Sequence, residues 1–316
     1  MKPIVVVGSL NMDVTAYLDR WVQPGETLLA RDGVVTMGGK GGNQAVAAAR
    51  LGAEVRMIAA IGNDGFGTDI IDRLRAENIT AYLSRPANCN TGMALIDVLP
   101  EGSNMIRLIP GANAKLNASA VQELAFAFDG AGIVLLQNEV PLDASQQAAR
   151  IGRAAGALVI MDPAPAPVQP WTGREFSLFD IITPNAHEAG LILGRDVVNM
   201  VDAIRAVTDL RRYGLRGAIV TMGGLGAAWS IDEQSGQISP HEVAVVDTVA
   251  AGDCFNAGLA VALSNGYDLP RAMAMACDGA SLATLKRGAA NSAPYKSDVL
   301  AFQIQHRDTP RGSQRK

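Results

Sequence analysis

The stretch "IVVVGS" at residues 4–9 indicates the fold class of the chain. Four branched apolar residues run without a polar interruption and end at the turn formers Gly8 and Ser9. A strand of this kind is buried on both faces, as strands are in the parallel sheets of α/β proteins. Similar short apolar runs recur at 133–139, 157–162, 180–185 and 217–223.

Helical patterns alternate with these runs, at 42–52, 144–156 and 201–214. Each pattern ends in a glycine at the position where a C-terminal cap belongs, namely Gly52, Gly156 and Gly214. The alternation predicts an α/β fold of three layers, with a mostly parallel sheet between two layers of helices. We expect the whole chain, residues 1–316, to form one domain, because α/β folds often reach this length undivided.

Two segments depart from this pattern, at 14–37 and 92–109. They mix apolar and polar residues and contain the turn signals "QPGE" and "PEGS". Such segments are typical of strands with one face in water. We expect them to form a small β lid that projects from the main sheet; the alternative is that they are edge strands of that sheet.

The composition excludes several classes of protein. A net charge of −4 argues against a nucleic-acid binder, and the basic cluster at 306–316 is interpreted as a solvated, frayed C-terminus. No apolar run is long enough to span a membrane, and no secretory signal is visible. The cysteines, Cys89, Cys254 and Cys277, match neither a disulfide framework nor a zinc site, and we interpret them as small buried hydrophobes of a cytoplasmic protein.

The segment "DTVAAGDCFNAG" at 247–258 carries the strongest chemical signal. Its apolar stripe predicts a helix that begins near Gly252 or Asp253. The first N–H groups of a helix lack partners and favour an anion, and the small residues before Asp253 let one approach closely. We predict a cradle for a phosphoryl group in transfer, with Asp253 as the base for an attacking hydroxyl. The alternative is that Asp253 only caps the helix.

Polar residues are predicted where strands end. Asn11 and Asp13 are placed at the end of the first strand, on one face, where an amide and a carboxylate suit sugar hydroxyls. Glu139 ends a buried strand. Ligands of open α/β sheets bind at the carboxyl ends of strands, so we expect these groups to converge. The same position is predicted for Asn185 and Gly223.

A glycine-rich turn, "MGGKGGNQA" at 37–45, precedes the first helical pattern. It matches neither the Walker A motif nor G-x-G-x-x-G. Its glycines allow close approach to the backbone, and Lys40 and Asn43 offer donors to a sugar or an anion. The alternative is a purely structural turn.

Two further segments suggest a nucleotide. Asn185 and Glu188 in "TPNAHEAG" have the spacing of a capping box, or they organise a magnesium ion and its waters. The turn "TMGGLGAAW" at 221–229 lets a nucleotide approach its backbone, or it is a tight β-turn. The three histidines have no metal-ligand spacing and receive no role: His187, His241 and His306.

Taken together, the motifs resemble those of the ribokinase-like carbohydrate kinases. "GSLNMD", "PGET", "GGKGGNQAVAAARLGA", "IGNDGFG", "PGANAKL", "TPNAHE" and "DTVAAGDCFNAG" occur in that family's order and spacing, from Ile4 to about Phe302. The resemblance implies a mostly parallel sheet between helices, with a β lid over the sugar. Because the lid often serves as a dimer interface in the family, it also implies a homodimer.

The resemblance implies transfer of the γ-phosphoryl of ATP to a sugar hydroxyl with Mg²⁺, here to O5 of D-ribose to give ribose 5-phosphate. Asp253 is then the base, and an anion hole is formed by Ala250, Ala251, Gly252 and Asp253. The sugar is held by Asn11, Asp13, Gly39, Lys40, Asn43 and Glu139. The residues implied to bind ATP are Asn185, Glu188, Thr221, Gly223, Gly224, Gly226, Gly252 and Cys277.

The resemblance further implies an activating monovalent cation, usually K⁺, beside the anion hole. Its ligands, mostly backbone carbonyls, are expected at Asp247, Val249, Ala283, Lys286, Gly288 and Ser292. Such a cation would order the loop that forms the anion hole.

Three alternatives stay open at this point. The acceptor is another sugar or a nucleoside, such as deoxyribose or a hexose, or the protein is a non-catalytic sugar sensor on the same fold. A dinucleotide-binding dehydrogenase is disfavoured, because "VVVGSLNMD" lacks the G-x-G-x-x-G turn after the first strand.

Overall fold

The computed structural model describes residues 1–307 and Arg311, and these contain thirteen strands and ten α-helices. The strands are β1 (Ile4–Val7), β2 (Asn11–Tyr17), β3 (Asp32–Gly38), β4 (Val55–Ala60), β5 (Thr80–Ser84), β6 (Gly92–Val98), β7 (Asn104–Ile109), β8 (Ile133–Gln137), β9 (Leu158–Asp162), β10 (Ile181–Ile182), β11 (Gly217–Thr221), β12 (Ala227–Ile231) and β13 (Gln234–Ile238). The helices are α1 (Lys40–Arg50), α2 (Gly65–Ala76), α3 (Ala118–Glu123), α4 (Leu142–Ala154), α5 (Gly173–Phe176), α6 (Ala186–Leu193), α7 (Met200–Arg211), α8 (Ala251–Ser264), α9 (Leu269–Ala283) and α10 (Lys296–Gln305).

Nine strands form one sheet in the order β13-β12-β11-β10-β9-β8-β1-β4-β5. All neighbours from β5 to β11 are parallel, and β12 and β13 form an antiparallel edge. The side chains of β1 are fully buried, as its uninterrupted apolar run predicts. All five predicted strands belong to this sheet. The run at 180–185 is strand only at Ile181–Ile182, and Pro184, which cannot donate to a ladder, follows closely.

Helices cover both faces of the main sheet. Ile4 and Val6 pack with α1, α8 and α9 on one face, whereas Val5 and Val7 pack with α4 and α7 on the other. This alternation within one strand confirms the predicted three-layer α/β/α architecture. Among the described residues, no helix is long and apolar enough to cross a membrane.

A second sheet of four strands, in the order β3-β2-β6-β7, stands apart from the main sheet and forms the lid. The predicted lid is therefore confirmed, and the alternative of edge strands on the main sheet is wrong. Half-exposed apolar side chains lie on its two outer strands: Val34, Val35, Met105, Ile106, Leu108 and Ile109.

The lid begins earlier than the sequence pattern suggested, which corrects the placement of two site residues. Asn11 and Asp13 open the lid strand β2 and do not end β1. The reason is that the chain leaves the ladder of β1 at Gly8, and the residues up to Leu10 turn it into the second sheet. The two side chains still share one face of a strand, because they are two residues apart.

Three helices end at the glycines that the sequence predicts as caps. Gly52, Gly156 and Gly214 adopt φ values of 92°, 78° and 90°, the left-handed conformation that terminates α1, α4 and α7. The predicted frayed tail at 306–316 falls largely outside the described residues. Of its basic residues, Arg311 is held in an ion pair with the fully buried Asp278, with 2.9 Å between Nη1 and Oδ1.

Candidate active site

The start of α8 presents unpaired backbone donors. Ala250 adopts the left-handed conformation with φ 60°, which is unusual for a residue with a side chain, and α8 begins at Ala251. Among the described residues, the N–H groups of Gly252 and Asp253 have no hydrogen-bond acceptor. A Cβ added at Gly252 would meet no atom within 4 Å, so open space lies above this backbone. The geometry fits an anion held at a helix N-terminus.

Asp253 lies next to this backbone, 3% exposed, and faces α1. Its Oδ2 accepts a hydrogen bond from Asn43 Nδ2 at 2.9 Å, and its Oδ1 accepts one from Gln44 Nε2 at 3.2 Å. Lys40 Nζ lies 3.9 Å from Oδ1. These three partners lie in the first turns of α1 at spacings that share one helix face. Burial raises the pKa of Asp253 above its usual value, while the charge of Lys40 opposes the rise.

A second buried carboxylate, Asp162, completes this network. It ends β9 and lies with Oδ2 at 3.6 Å from Lys40 Nζ and 3.1 Å from Gln44 Nε2. Gln44 therefore bridges the two acids, and Gln137 Nε2 fixes it by donating to its Oε1 at 2.6 Å. Burial raises the pKa of Asp162 to about 7. Sequence reasoning missed Asp162 and Gln44, although the position of Asp162 at a strand end is the signal that identified Glu139.

Lys40 lies between the two acids with 27% of its side chain exposed. Burial disfavours its charge, but the surrounding carboxylates of Asp162 and Asp253 outweigh that cost and hold its pKa above the usual value. Lys40 therefore carries a stable positive charge beside Asp253.

The predicted sugar-binding residues meet at this place. Asp13 is 8% exposed, and its Oδ1 has no hydrogen-bond partner among the described residues. Its pKa rises to about 7, first because of burial and then because of the charges of Glu139 and Asp253. Asn43 Oδ1 is likewise buried without a partner. Buried polar atoms are costly unless paired, so this pattern is typical of a site awaiting a polar ligand.

Glu139 and Asn11 also have structural contacts. Glu139 Oε2 accepts hydrogen bonds from Ser9 Oγ and, at 2.9 Å, from the N–H of Lys40, so it holds the turn before α1. Asn11 Oδ1 accepts a hydrogen bond from Asn113 Nδ2 at 2.8 Å. Ser9 and Asn113 were not predicted as site residues.

The glycine-rich turn has a structural reason as well as an open surface. Gly39 has φ 83°, and a Cβ there would lie 2.9 Å from the backbone N of Asn11. A Cβ at Gly38 would lie 1.9 Å from Asp13 Oδ2. The bare backbone thus lets β3 pass into α1 directly against β2 and Asp13.

On the predicted nucleotide side, Asn185 and Glu188 form a reciprocal capping box. Asn185 N–H donates to Glu188 Oε2 at 2.9 Å, and Glu188 N–H donates to Asn185 Oδ1 at 2.9 Å. The capping alternative is therefore confirmed for these hydrogen bonds. Glu188 is only 8% exposed; burial raises its pKa, and the charge of Lys40 lowers it, which places Glu188 within electrostatic reach of the acid network.

The turn after β11 lies beside this capping box, since Thr221 bridges to Asn185. Gly223 and Gly224 face open space, so their backbone is accessible. Gly226 has φ 96°, and a Cβ there would lie 1.9 Å from Ile238 O, which makes this glycine a structural requirement of the β11–β12 hairpin.

The cysteines are mostly interior residues. Cys254 and Cys277 are 1% and 4% exposed, and Cys89 is half-buried. Burial raises the pKa of Cys277 to about 12, so its thiol stays protonated at neutral pH. The predicted contact of Cys277 with adenine remains a prediction.

The residues predicted to bind a monovalent cation are partly brought together. Asp247 accepts hydrogen bonds from the N–H groups of Val249 and Gly288, each at 3.0 Å, and its own N–H donates to Thr284 O, one residue after Ala283. Asp247 therefore joins the loop before α8 to the loop that contains Lys286. Ser292 is fully buried in a short turn, where its Oγ donates to Ala289 O at 2.8 Å. Within the described residues, no cluster of three or more His, Cys, Asp or Glu side chains fits a metal ion.

Comparison with known proteins agrees with this geometry. Residues 1–296 match the family described as pfkB family carbohydrate kinase. The chain is 35% identical to a ribokinase of Haemophilus influenzae over 302 residues, which cover 95% of this chain and 98% of the relative.

Two crystal structures superpose on nearly the whole fold. One is a ribokinase of Thermotoga maritima, with TM-score 0.87 and 32% identity over 96% of this chain and all of that one. The other is the Arabidopsis thaliana ribokinase complexed with ribose and ATP, with TM-score 0.88 and 32% identity over 95% and 98% of the two chains. This chain therefore belongs to the pfkB family of carbohydrate kinases.

Proposed function

We propose that this protein transfers the γ-phosphoryl of ATP to the O5 hydroxyl of D-ribose and yields ribose 5-phosphate. The observation that carries the proposal is the position of Asp253. It lies between the open N-terminus of α8 and a pocket whose acid and amide oxygens, at Asp13 and Asn43, lack partners. The ribokinase relatives, one of them solved with ribose and ATP, support the same substrates.

In this proposal Asp253 takes the proton from the attacking hydroxyl. Burial raises its pKa above the usual value, and a raised pKa suits a general base. The N–H groups of Gly252 and Asp253 would hold the phosphoryl oxygens as their charge develops. Phosphoryl transfer depends mainly on such positioning and charge stabilisation.

The sugar would be oriented by Asn11, Asp13, Gly39, Lys40, Asn43 and Glu139. The carboxyl oxygens of Asp13 and Glu139 and the unpaired amide oxygen of Asn43 accept hydrogen bonds, and sugar hydroxyls donate them. This chemistry favours a hydroxyl-rich acceptor over a deoxy sugar, because a missing hydroxyl would leave a buried acceptor unpaired.

ATP would bind along Asn185, Thr221, Gly223, Gly224 and Cys277. Glu188, a buried carboxylate with one oxygen engaged in the capping box, fits a magnesium ion held mostly by phosphates and water. Mg²⁺ would neutralise phosphate charge when bound. K⁺ would be held near Asp247, Val249, Ala283, Lys286, Gly288 and Ser292, where Asp247 joins two loops.

We further propose that residues 1–316 act as one domain and that two chains pair through the lid. The half-exposed apolar residues of β3 and β7 support such pairing, because exposed apolar surface marks interaction sites. Light scattering would then give twice the mass of one chain.

The proposed activity is tested by measuring ADP release with ATP and Mg²⁺ across ribose, deoxyribose, fructose and nucleosides, with and without K⁺. Strong release on ribose that rises with K⁺ supports the proposal and the cation site together. Activity confined to another acceptor keeps the mechanism and contradicts the substrate. A folded protein that binds sugar without any release supports the sensor alternative.

Replacing Gly252 by Ala is expected to separate folding from catalysis. The added methyl meets no protein atom and replaces a poor helix former, so stability should stay equal or rise by about 0.5–1 kcal/mol. The methyl would occupy the proposed phosphoryl cradle and lower kcat by about 10–100-fold. Thermal unfolding and steady-state kinetics measure the two effects. An unchanged kcat would contradict the proposal that this backbone holds the transferred phosphoryl group.

Replacing Asp13 by Asn is expected to alter the pH dependence of stability. The folded-state pKa of Asp13 is raised to about 7, so its carboxyl stabilises the ligand-free fold at low pH and this contribution is lost as the pH rises through 7. Asn cannot ionise. The variant should therefore gain about 1–3 kcal/mol relative to wild type between pH 5 and pH 8, while kcat/KM for the sugar falls.

Urea unfolding of both ligand-free proteins at the two pH values measures this gain. A constant difference between variant and wild type at pH 5 and pH 8 would contradict an ionisable, buried Asp13.

A further inference from the structure

A cavity of about 520 Å³ lies between α9 and α10, and one end of it lies beside the C-terminal end of α8. Asn265, which lines it, follows the last residue of α8, whereas Asp253 lies in the first turn of that helix. At 1.5 Å per residue the two ends of α8 are on the order of 20 Å apart. The cavity shares no residue with the proposed sugar and nucleotide sites.

The lining of this cavity is strongly basic. Arg271, Lys296, Arg307 and Arg311 line it together with His241 and His306, and among the described residues no Asp or Glu does. Within the described residues, Arg271, Lys296 and Arg307 have no carboxylate within 4.0 Å. Like charges that face one concave surface without counter-charges create a positive potential that attracts anions.

The nearby acids are engaged elsewhere. Asp268 caps α9 by accepting from the N–H of Arg271 at 3.0 Å, and Asp298 accepts from the N–H of Tyr295 at 3.1 Å. Asp278 is fully buried and accepts hydrogen bonds from Arg311 Nη2 and Gln303 Nε2, each at 2.9 Å. Among the described residues, Asp278 therefore pairs with Arg311, whereas Arg271, Lys296 and Arg307 keep their charge without a carboxylate partner.

The basic groups lie at two ends of the cavity. Arg271 and Lys296 lie in the first turns of α9 and α10, where helix dipoles add to the positive potential. His306 and Arg307 follow the end of α10, about 16 Å away along the helix axis. Between the ends the lining is mostly apolar, with Met275, Val299 and Leu300, and it also includes Gln303.

Two further details concern the side chains that line this cavity. The guanidinium of Arg271 lies over the ring of Tyr267, 4.0 Å from its centroid, so one end is held in place. At the other end His241 is 6% exposed, and its Nδ1 is buried without a hydrogen-bond partner among the described residues. An unpaired buried nitrogen in a basic cavity is typical of a polar site that lacks its ligand.

We propose that this cavity binds a small organic anion with two separated phosphate groups, of the sugar bisphosphate class. Arg271 and Lys296 would bind one phosphate, His306 and Arg307 the other, and the apolar middle would contact the carbon frame. Arginine and lysine at helix N-termini are suited to phosphate oxygens. A single inorganic phosphate would fill only one end.

The test is calorimetric titration of the full chain with fructose 1,6-bisphosphate as the probe. Substituting both Arg271→Met and Lys296→Met should weaken binding by about tenfold or more, because two charge-assisted hydrogen-bonding groups are lost. Methionine keeps an aliphatic stem at each position, and both side chains are exposed, so folding should be retained. The matched control, Arg75→Met with Arg205→Met, removes the same charge from exposed helix surfaces and should change affinity less than twofold.

Four outcomes would overturn the proposal. They are no binding of the probe, an equal loss in the control variant, inorganic phosphate binding as tightly as the bisphosphate, and displacement of the probe by ATP at a stoichiometry of one. If the double variant fails to fold, Lys296→Met alone is compared with Arg205→Met, and equal affinities of the two would overturn the proposal.

Discussion

Replacing Asp253 by Asn is expected to lower kcat by about 10²–10⁴-fold while the protein still binds sugar and nucleotide. The amide keeps the size of the carboxylate but cannot accept the proton of the attacking hydroxyl. The hydrogen bond from Asn43 to Oδ2 would be kept if the amide oxygen takes that position, whereas the longer one from Gln44 to Oδ1 would be lost. Steady-state ADP release gives kcat, and equilibrium titration with each substrate gives binding.

The control for this variant is Asp278→Asn. It replaces a fully buried carboxylate on the neighbouring helix α9, outside the proposed site. It should cost stability, because the ion pair with Arg311 is lost, and leave kcat within about threefold. A decrease of less than tenfold in kcat for the Asp253 variant, with intact thermal unfolding, would contradict its role as base.

Replacing Lys40 by Met is expected to destabilise the protein and to shift its pH profile. The ammonium lies 3.6 Å from Asp162 and 3.9 Å from Asp253, and no other cation is within 4.0 Å of these acids among the described residues. Its removal would leave two buried carboxylates joined only through Gln44. Breaking a buried ion pair from one side costs about 3–5 kcal/mol, and kcat at neutral pH should fall by about 100-fold or more.

The direction of the pH effect follows from the charges. Lys40 lowers the pKa of both acids, so its loss raises both values further above those of the unfolded chain. Folded protein then binds more protons than unfolded protein over a wider range, and the deficit in stability should grow as the pH rises. The acidic limb of kcat/KM should also move to higher pH.

Urea unfolding and kcat/KM between pH 5 and pH 9 measure both shifts. Lys115→Met, on an exposed lysine outside the site, is the control for loss of charge. A profile that stays at the wild-type pH, together with wild-type stability, would show that Lys40 does not set the charge of the acids.

The sequence predicts the buried strands well and the sheet boundaries poorly. The runs at 4–9 and 133–139 each open with four consecutive apolar residues and no polar alternation, and such runs form parallel strands. β4 contains Arg56, and β12 follows a glycine-rich turn, so neither has a pattern that indicates a strand. Asn11 and Asp13 were placed on the wrong strand, because alternation within a strand does not reveal where the chain passes from one sheet to another.

The candidate site shows a similar limit. Asp253 and its helix are predictable, because local spacing and helix-terminal electrostatics are enough. Its partner Asn43 was predicted for the sugar, but the hydrogen bond between them joins residues 210 positions apart. Asp162 was missed although it ends a strand, because its partner Gln44 lies 118 positions earlier in the chain. Contacts of this length depend on how the helices pack on the sheet, which no local pattern contains.

The direct passage from β3 into α1 has a geometric consequence. One residue, Gly39, separates the lid strand from the helix whose first turns contact Asp253. An inserted residue at this joint would rotate α1 by about 100° relative to β3. The length of this connection therefore fixes how the side chains of β3, which alternate every two residues, are oriented relative to those of α1, which repeat every 3.6 residues. Surface turns such as the one at Gly102 accept insertions and deletions. A change of length at Gly39 would instead move the residues of α1 that contact Asp253 relative to the sugar pocket.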